Sequence, residues 1–345
     1  MKHWHRRGAV AWLLWPLSLI FRCVVFVRRL LFRIRLLKSE HPGIPVIVVG
    51  NIVAGGSGKT PLVLWLAEFL KSKGWHPAIV SRGYGRDNGR RDNGRKANGA
   101  SGRTSAGASG ADAAPRAATI ASDAADVGDE PIILARRSGC PVWVGADRVA
   151  VAREVRSKHP EVDVLILDDG LQHYRLRRDV EIAVVDSRGF ENGFLLPAGP
   201  LREPPSRLKS VDAVISHGNS SVEGFKMVLE GDTFHRMTDA RDRRPASAFA
   251  GHEIHAVAGI GDPNRFFLHL MKLGIQPIPH PFPDHHPFTL RDLEFGGDAP
   301  IVMTEKDAVK LRRAPHAHWW VLPVTARLDP AFGDWLLGKL KKRPE

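Results

Sequence analysis

Cysteine is nearly absent: Cys23 and Cys140 are the two in 345 residues. Two isolated thiols supply neither a disulfide framework nor a thiolate metal cluster, and they point to a reducing compartment. Acidic side chains are missing from the start of the chain. Before Glu40 there are nine lysines and arginines and no aspartate or glutamate, within a chain of formal net charge +13. A basic block of this kind suits nucleic acid or an anionic membrane surface. Its neighbours here are Trp12, Leu13, Leu14, Trp15, Ile20, Phe21 and Phe26, whereas nucleic-acid arms are polar. The predicted partner is therefore an anionic membrane surface and not nucleic acid. Large apolar residues are in turn missing from 86–118, where the pentad RDNGR occurs twice in tandem. Such a stretch cannot bury enough surface to offset its chain entropy, so it reads as a disordered insertion.

What remains is a globular composition, 43 % hydrophobic and 25 % charged, in a chain long enough for two domains. The apolar run 8–27 approaches the length that spans a bilayer core. Pro16 interrupts it, and Arg22 lies inside it at a cost of about 2.5–3.5 kcal/mol at the bilayer centre. Arginines flank both ends, so charge asymmetry sets no orientation. A helix lying in the interface, or dipping into one leaflet, fits better than a span. A signal peptide is disfavoured, because no small-residue cleavage site follows. Trp4, Trp12 and Trp15 suit an interfacial belt, and packing against the body explains them equally well.

Short β-branched runs at 45–49, 78–80, 142–144, 162–167, 182–185 and 213–216 read as buried strands. Helical patterns at 62–73, 132–137 and 148–158 separate them. Strands alternating with helices predict an α/β fold with a parallel sheet covered on both faces. The pattern weakens after His217, with edge strands or a linking hairpin expected in 218–250. A second, smaller α/β unit follows over 251–345, with strands at 254–258, 301–303 and 319–322 and helices at 263–273 and 329–342. The final helix is placed so that it can pack back on the first unit.

The chemistry centres on Val48-Val49-Gly50-Asn51-Ile52-Val53-Ala54-Gly55-Gly56-Ser57-Gly58-Lys59-Thr60-Pro61. A glycine-rich turn between a buried strand and a helix offers backbone N–H groups and the positive helix end to an anion. Gly55, Gly56, Ser57, Gly58, Lys59, Thr60 and Pro61 are the candidate ATP-binding residues, with Lys59 on the terminal phosphates and the Thr60 hydroxyl on Mg²⁺. The usual spacing asks for glycine at position 53, where this chain has Val53. A phosphate loop also requires an aspartate at a neighbouring strand tip for the Mg²⁺ shell. The run Val164-Leu165-Ile166-Leu167-Asp168-Asp169 supplies one, since carboxylates at the end of a buried strand are costly unless a cation sits there. Thr60, Asp168 and Asp169 are the candidate metal ligands. Membrane-bound ATPases that position proteins or plasmids are a competing reading. They carry a further lysine just before the double glycine, and that position is Ala54 here.

VGNIVAGGSGKTP, SRGYGR, VGDEP, LDDGLQH, LLPAGPLREP, FPDHHPF and MTEKDAVK, in that order behind an apolar first helix, resemble the tetraacyldisaccharide 4′-kinase family of Gram-negative bacteria. The resemblance covers nearly the whole chain. It implies a P-loop kinase domain at 41–217, a smaller second α/β domain joined to it by a two-stranded linker, and a membrane-associated helix within 1–40. It also implies transfer of the ATP γ-phosphate to the 4′-hydroxyl of a tetraacylated glucosamine disaccharide 1-phosphate, by a monotopic enzyme on the cytoplasmic face of the inner membrane. By the same resemblance Asp129 of VGDEP is the base and His285 of the DHH segment its partner, with Lys59 assisting. His286 is adjacent, and the sequence does not separate the two histidines. Tyr84, Arg86, Arg202 and Glu203 resemble positions near the acceptor, where an arginine fork matches phosphate oxygens. The role of His173 stays open.

Overall fold

The computed structural model describes residues 4–83, 114–218, 220–311 and 316–340. The chain begins with α1 (Ala9–Arg33), which runs through Pro16 without a break. Most of its large apolar side chains, Leu13, Leu17, Ile20, Val24 and Phe26 among them, are exposed. The helix is long and apolar enough to cross a membrane, but it is also tied to the body. The Ser18 hydroxyl donates to the Leu195 carbonyl at 2.8 Å and accepts from the Ala198 N–H at 3.1 Å. The Trp4 indole donates to the Pro197 carbonyl at 3.2 Å, and Trp12 sits edge-on to Phe194.

β1 (Val46–Gly50) is buried throughout and leads through the glycine turn into α2 (Lys59–Ser72). β2 (Pro77–Ser81) follows, then β3 (Arg116–Ala118), α3 (Ala124–Val127) and α4 (Asp129–Ser138). β4 (Val142–Val144), α5 (Arg148–Lys158), β5 (Val164–Asp168), β6 (Val180–Val185) and β7 (Ala213–His217) continue the alternation. β8 (Phe225–Glu230) extends the same sheet, whereas β9 (Thr233–Arg236) and β10 (Arg243–Pro245) belong to another. That second sheet is completed by β11 (His255–Ala258), β12 (Ile278–Pro281), β13 (Ile301–Thr304) and β14 (Trp319–Leu322), with α6 (Pro263–Lys272) and α7 (Glu305–Ala308) between them. The chain then returns to the first sheet as β15 (Thr325–Leu328) and finishes in α8 (Pro330–Lys339).

The first sheet runs β15-β8-β7-β6-β1-β5-β2-β4-β3 and the second β10-β9-β14-β13-β11-β12. In the first, all neighbours are parallel except the two edge strands, β15 and β3. β1 lies between β5 and β6, so its glycine turn opens at the carboxyl edge of the sheet, where α/β folds bind ligands. One face of this sheet packs α2, α4 and α8, and the other packs α5.

Three features depart from the sequence reading. The end of the 86–118 stretch is ordered, since Arg116–Ala118 pairs antiparallel with β4; small residues suffice on a sheet edge that buries one side chain. The hairpin expected within 218–250 does form, as β9 with β10, but it belongs to the second sheet, and β8 beside it is an inner strand of the first sheet between β7 and β15. β12, with two prolines in four residues, was not anticipated. It is an edge strand, the one setting where a missing N–H costs no ladder bond.

Phe332 of α8 is fully buried against Phe225 and Trp65. Phe332→Ala is expected to destabilise the protein by about 3–5 kcal/mol in denaturant titration. A loss below about 1 kcal/mol would show that α8 is not a fixed part of the core.

Candidate active site

The glycine turn is shaped by conformation that side chains resist. Gly55 and Gly58 have φ of +99° and +83°, in the left-handed region that glycine occupies freely. Gly58 caps α2, so the first N–H groups of that helix face the turn. Asn51 braces the loop from inside, donating to the Gly55 carbonyl at 3.2 Å and to the Ser57 hydroxyl at 3.0 Å. Pro61 falls in the first helical turn, where its missing N–H is harmless. Val53, where the usual glycine is lacking, is buried with Ile52 and Leu201. The departure is thus a packing residue that anchors the turn to the segment 200–202. Backbone bonds complete the zip: Ala54 N–H to Pro200 O at 2.8 Å and Arg202 N–H to Ile52 O at 2.7 Å.

That zip delivers Arg202 to the tip of β5. Its guanidinium donates to both oxygens of Asp169 at 2.9 Å, and Lys59 Nζ stands 3.4 Å from the same carboxylate. Burial works against the Asp169 charge, yet Lys59 and Arg202 together hold its carboxyl below the usual range. Asp168 beside it behaves in the opposite way. It is 1 % exposed and receives one bond, from the Ser81 hydroxyl at 3.2 Å. Burial, then the nearby Glu130, push its carboxyl well above the usual range against the opposing pull of Lys59. Its second oxygen is buried without a partner.

A divalent cation fits that oxygen. Mg²⁺ is ordinarily held by one or two protein oxygens, with phosphates and water completing its shell. No cluster of three or more metal-binding side chains exists among the described residues. Asp168 and the Thr60 hydroxyl are the donors suited to it, while Asp169 is committed to two cations.

The second unit closes against this edge. A side chain added at Gly261, in the turn after β11, would come within 3.6 Å of the Gly56 nitrogen and 3.5 Å of an Asp284 oxygen. Asp129 is the first residue of α4 and is nearly buried. Its Oδ2 lies 3.1 Å from His285 Nδ1 and 3.7 Å from Lys310 Nζ. The two histidines left open by the sequence are separated here. His285 turns to Asp129, whereas His286 lies between the rings of Phe282 and Phe288, 3.3 Å from Asp292.

Glu203, expected near the acceptor, is corrected. It is 1 % exposed, accepts from the Tyr174 hydroxyl and pairs with Arg207 at 3.0 Å, so it braces the loop from behind. Arg202 reaches the site, with one guanidinium nitrogen on Asp169. Tyr84 and Arg86 lie outside the described residues. His173 is kept neutral: burial first, with Arg148 adding, brings its pKa down to about 4. Sequence reasoning missed Lys306 and Lys310, which stood in the quoted MTEKDAVK motif without a role. It also missed Arg188, which donates to the Gly56 carbonyl at 2.7 Å and carries no motif signal.

A parallel sheet with a glycine phosphate cradle at β1, a carboxylate at the neighbouring strand tip and a carboxylate–imidazole pair facing them defines a P-loop phosphotransferase. The model of the tetraacyldisaccharide-1-P 4′-kinase family matches residues 10–341, and the chain belongs to that family. The tetraacyldisaccharide 4′-kinase of Azoarcus sp. (strain BH72) is 46 % identical over 347 residues, covering 98 % of this chain and 94 % of the relative. That of Aromatoleum aromaticum is also 46 % identical, covering 98 % and 96 %. A crystal structure of LpxK from Aquifex aeolicus in complex with ATP superposes with a TM-score of 0.75 at 26 % identity, covering 96 % of this chain and 99 % of that one.

Glu203→Ala leaves the buried Arg207 with one carboxylate, Glu181 at 2.6 Å, beside the Ser210 hydroxyl at 2.9 Å. Breaking one side of a buried charge network is expected to cost about 3 kcal/mol, seen as lower stability with KM for the lipid acceptor unchanged per folded molecule. A selective rise in that KM at unchanged stability would restore Glu203 to the acceptor site.

Proposed function

We propose that this chain transfers the γ-phosphate of ATP to the 4′-hydroxyl of a tetraacylated glucosamine disaccharide 1-phosphate, a lipid A precursor, at the cytoplasmic face of the bacterial inner membrane. The observation that carries the chemical assignment is the Asp129–His285 pair at 3.1 Å, contributed by the start of α4 in the first unit and the turn after β12 in the second. Membership of the kinase family supports the substrate class, and the exposed apolar face of α1 supports attachment to lipid.

In this reading Asp129 accepts the proton of the attacking hydroxyl. It suits the task because its Oδ2 is oriented by His285 at 3.1 Å with Lys310 at 3.7 Å. The backbone N–H groups of 55–60 and the Lys59 ammonium hold the phosphates, and the positive end of α2 adds to their field. Lys59 releases Asp169 to do so, and Arg202 keeps that carboxylate balanced. Asp168 and Thr60 would hold Mg²⁺, which would supply neutralisation of phosphate charge. The membrane-positioning ATPase reading is not favoured, since Ala54 replaces its additional lysine and the family is a kinase family.

Incubation with γ-labelled ATP and the tetraacyldisaccharide 1-phosphate is expected to move label to the lipid. Asp129→Asn should lower kcat by about 10²–10⁴, the range of a lost general base, and chelation of Mg²⁺ should stop the transfer. Full activity in Asp129→Asn would remove Asp129 from this role.

A further inference from the structure

Lys306, on α7, sits where three acceptors converge. Its Nζ lies 3.1 Å from Asp284 Oδ1, 3.3 Å from His285 Nε2 and 3.7 Å from Glu130 Oε1. An ammonium has three N–H donors and no acceptor; two of them have partners within hydrogen-bond distance, Asp284 and His285, and the third faces Glu130 as an ion pair. We propose that Lys306 is the positioning residue that fixes the tautomer of His285, keeping Nε2 bare and the hydrogen on Nδ1, pointed at Asp129. The proposal rests on the kinase reading only for its kinetic consequence.

The argument is one of exclusion. A hydrogen on Nε2 would face the Lys306 ammonium at hydrogen-bond distance and repel it. The alternative recipient for such a hydrogen, Asp284 Oδ1, is 3.8 Å away and already bonded to Lys306. A doubly protonated ring meets the same obstacle. With Nε2 accepting, Nδ1 carries the hydrogen and donates to Asp129 Oδ2. The ammonium is itself secure: burial weakens it, but Glu130, Asp284 and Asp129 outweigh that and raise its pKa. The His285 ring is held at both nitrogens, by Asp129 at 3.1 Å and Lys306 at 3.3 Å. The charged groups facing the imidazole are thus Asp129 and Glu130 from α4, Asp284 from its own turn, and Lys306 and Lys310 from α7 and the residues after it.

The consequence concerns the route of the proton. A ring that donates through Nδ1 while its Nε2 faces Lys306 orients Asp129 and does not collect the proton that Asp129 takes. The hydrogen accepted by Asp129 from the sugar hydroxyl therefore leaves from the carboxyl itself. Atoms balance with the hydroxyl oxygen gaining the phosphoryl group and the proton passing to Asp129 and then to water.

Histidine ¹⁵N spectra of the full chain at neutral pH test this directly. The His285 signals are assigned by their loss in His285→Asn, a residue that tolerates the left-handed turn. Wild type is expected to show an unprotonated Nε2 and a protonated Nδ1; a protonated Nε2 would overturn the proposal whatever the protein's activity. Lys306→Met is expected to shift both signals toward a mixture of tautomers. It is also expected to move the acid limb of kcat/KM up by about one pH unit, because a neighbouring positive charge has gone. Lys306→Arg should restore the limb. If Lys306→Met lowers kcat but leaves both spectrum and limb in place, Lys306 is merely structural and the proposal fails.

Discussion

The carboxylate of Asp169 joins three segments that sequence keeps far apart. Lys59 comes from the phosphate loop, Asp169 from the tip of β5 and Arg202 from the segment zipped to Ile52 and Ala54. Burying one anion between two cations is costly unless all three are held in place, and the backbone does the holding. Asp169 itself takes a left-handed φ of +53°, and Gly170 bonds back to Val49 at 3.1 Å. The arrangement leaves Lys59 compensated but not buried in a permanent bond. A stronger anion, such as a triphosphate, can draw the lysine away while Arg202 continues to balance Asp169.

The neighbouring Asp168 shows how the same strand tip serves the opposite need. Among the described residues it has no cationic partner within bonding distance, and one of its oxygens has no partner, so its charge is suppressed. A group in that condition is stabilised by any divalent ion that arrives, which couples metal binding to ionisation. Two adjacent carboxylates thus have different roles because one faces Lys59 and Arg202 and the other faces the sheet interior.

Much of this was readable in the chain. The buried strands of the first sheet announce themselves by continuous β-branched runs, and the glycine turn by its lysine and threonine. What escaped was set by tertiary contacts. Nothing local in Thr325–Leu328 says that it returns to pair with β8, and the alternation of β12 is hidden by prolines. At the site, the arginine and glutamate of the same PLREP motif point in different directions, Arg202 toward Asp169 and Glu203 toward Arg207 and Tyr174. Adjacent residues in a motif share recurrence, not orientation. His285 and His286 differ for the same reason: a left-handed residue turns one toward Asp129, and two phenyl rings enclose the other. Lys306 gains its meaning from acceptors on three separate segments, and no single stretch contains that information.

The attachment of α1 follows from the same economy of segments. Ser18 grips the chain at Leu195 and Ala198, Arg7 donates to the Asn192 carbonyl at 2.9 Å, and Trp12 rests on Phe194. Four residues beyond Ala198 the chain reaches Arg202 and the phosphate cradle. The loop that anchors the apolar helix is therefore the loop that zips to the phosphate turn. A rotation of α1 about its own axis would have to break the Ser18 bonds before it could leave the site undisturbed. Such direct continuity favours a helix that holds the body at a set height beside a lipid surface over a tether that lets it swing free.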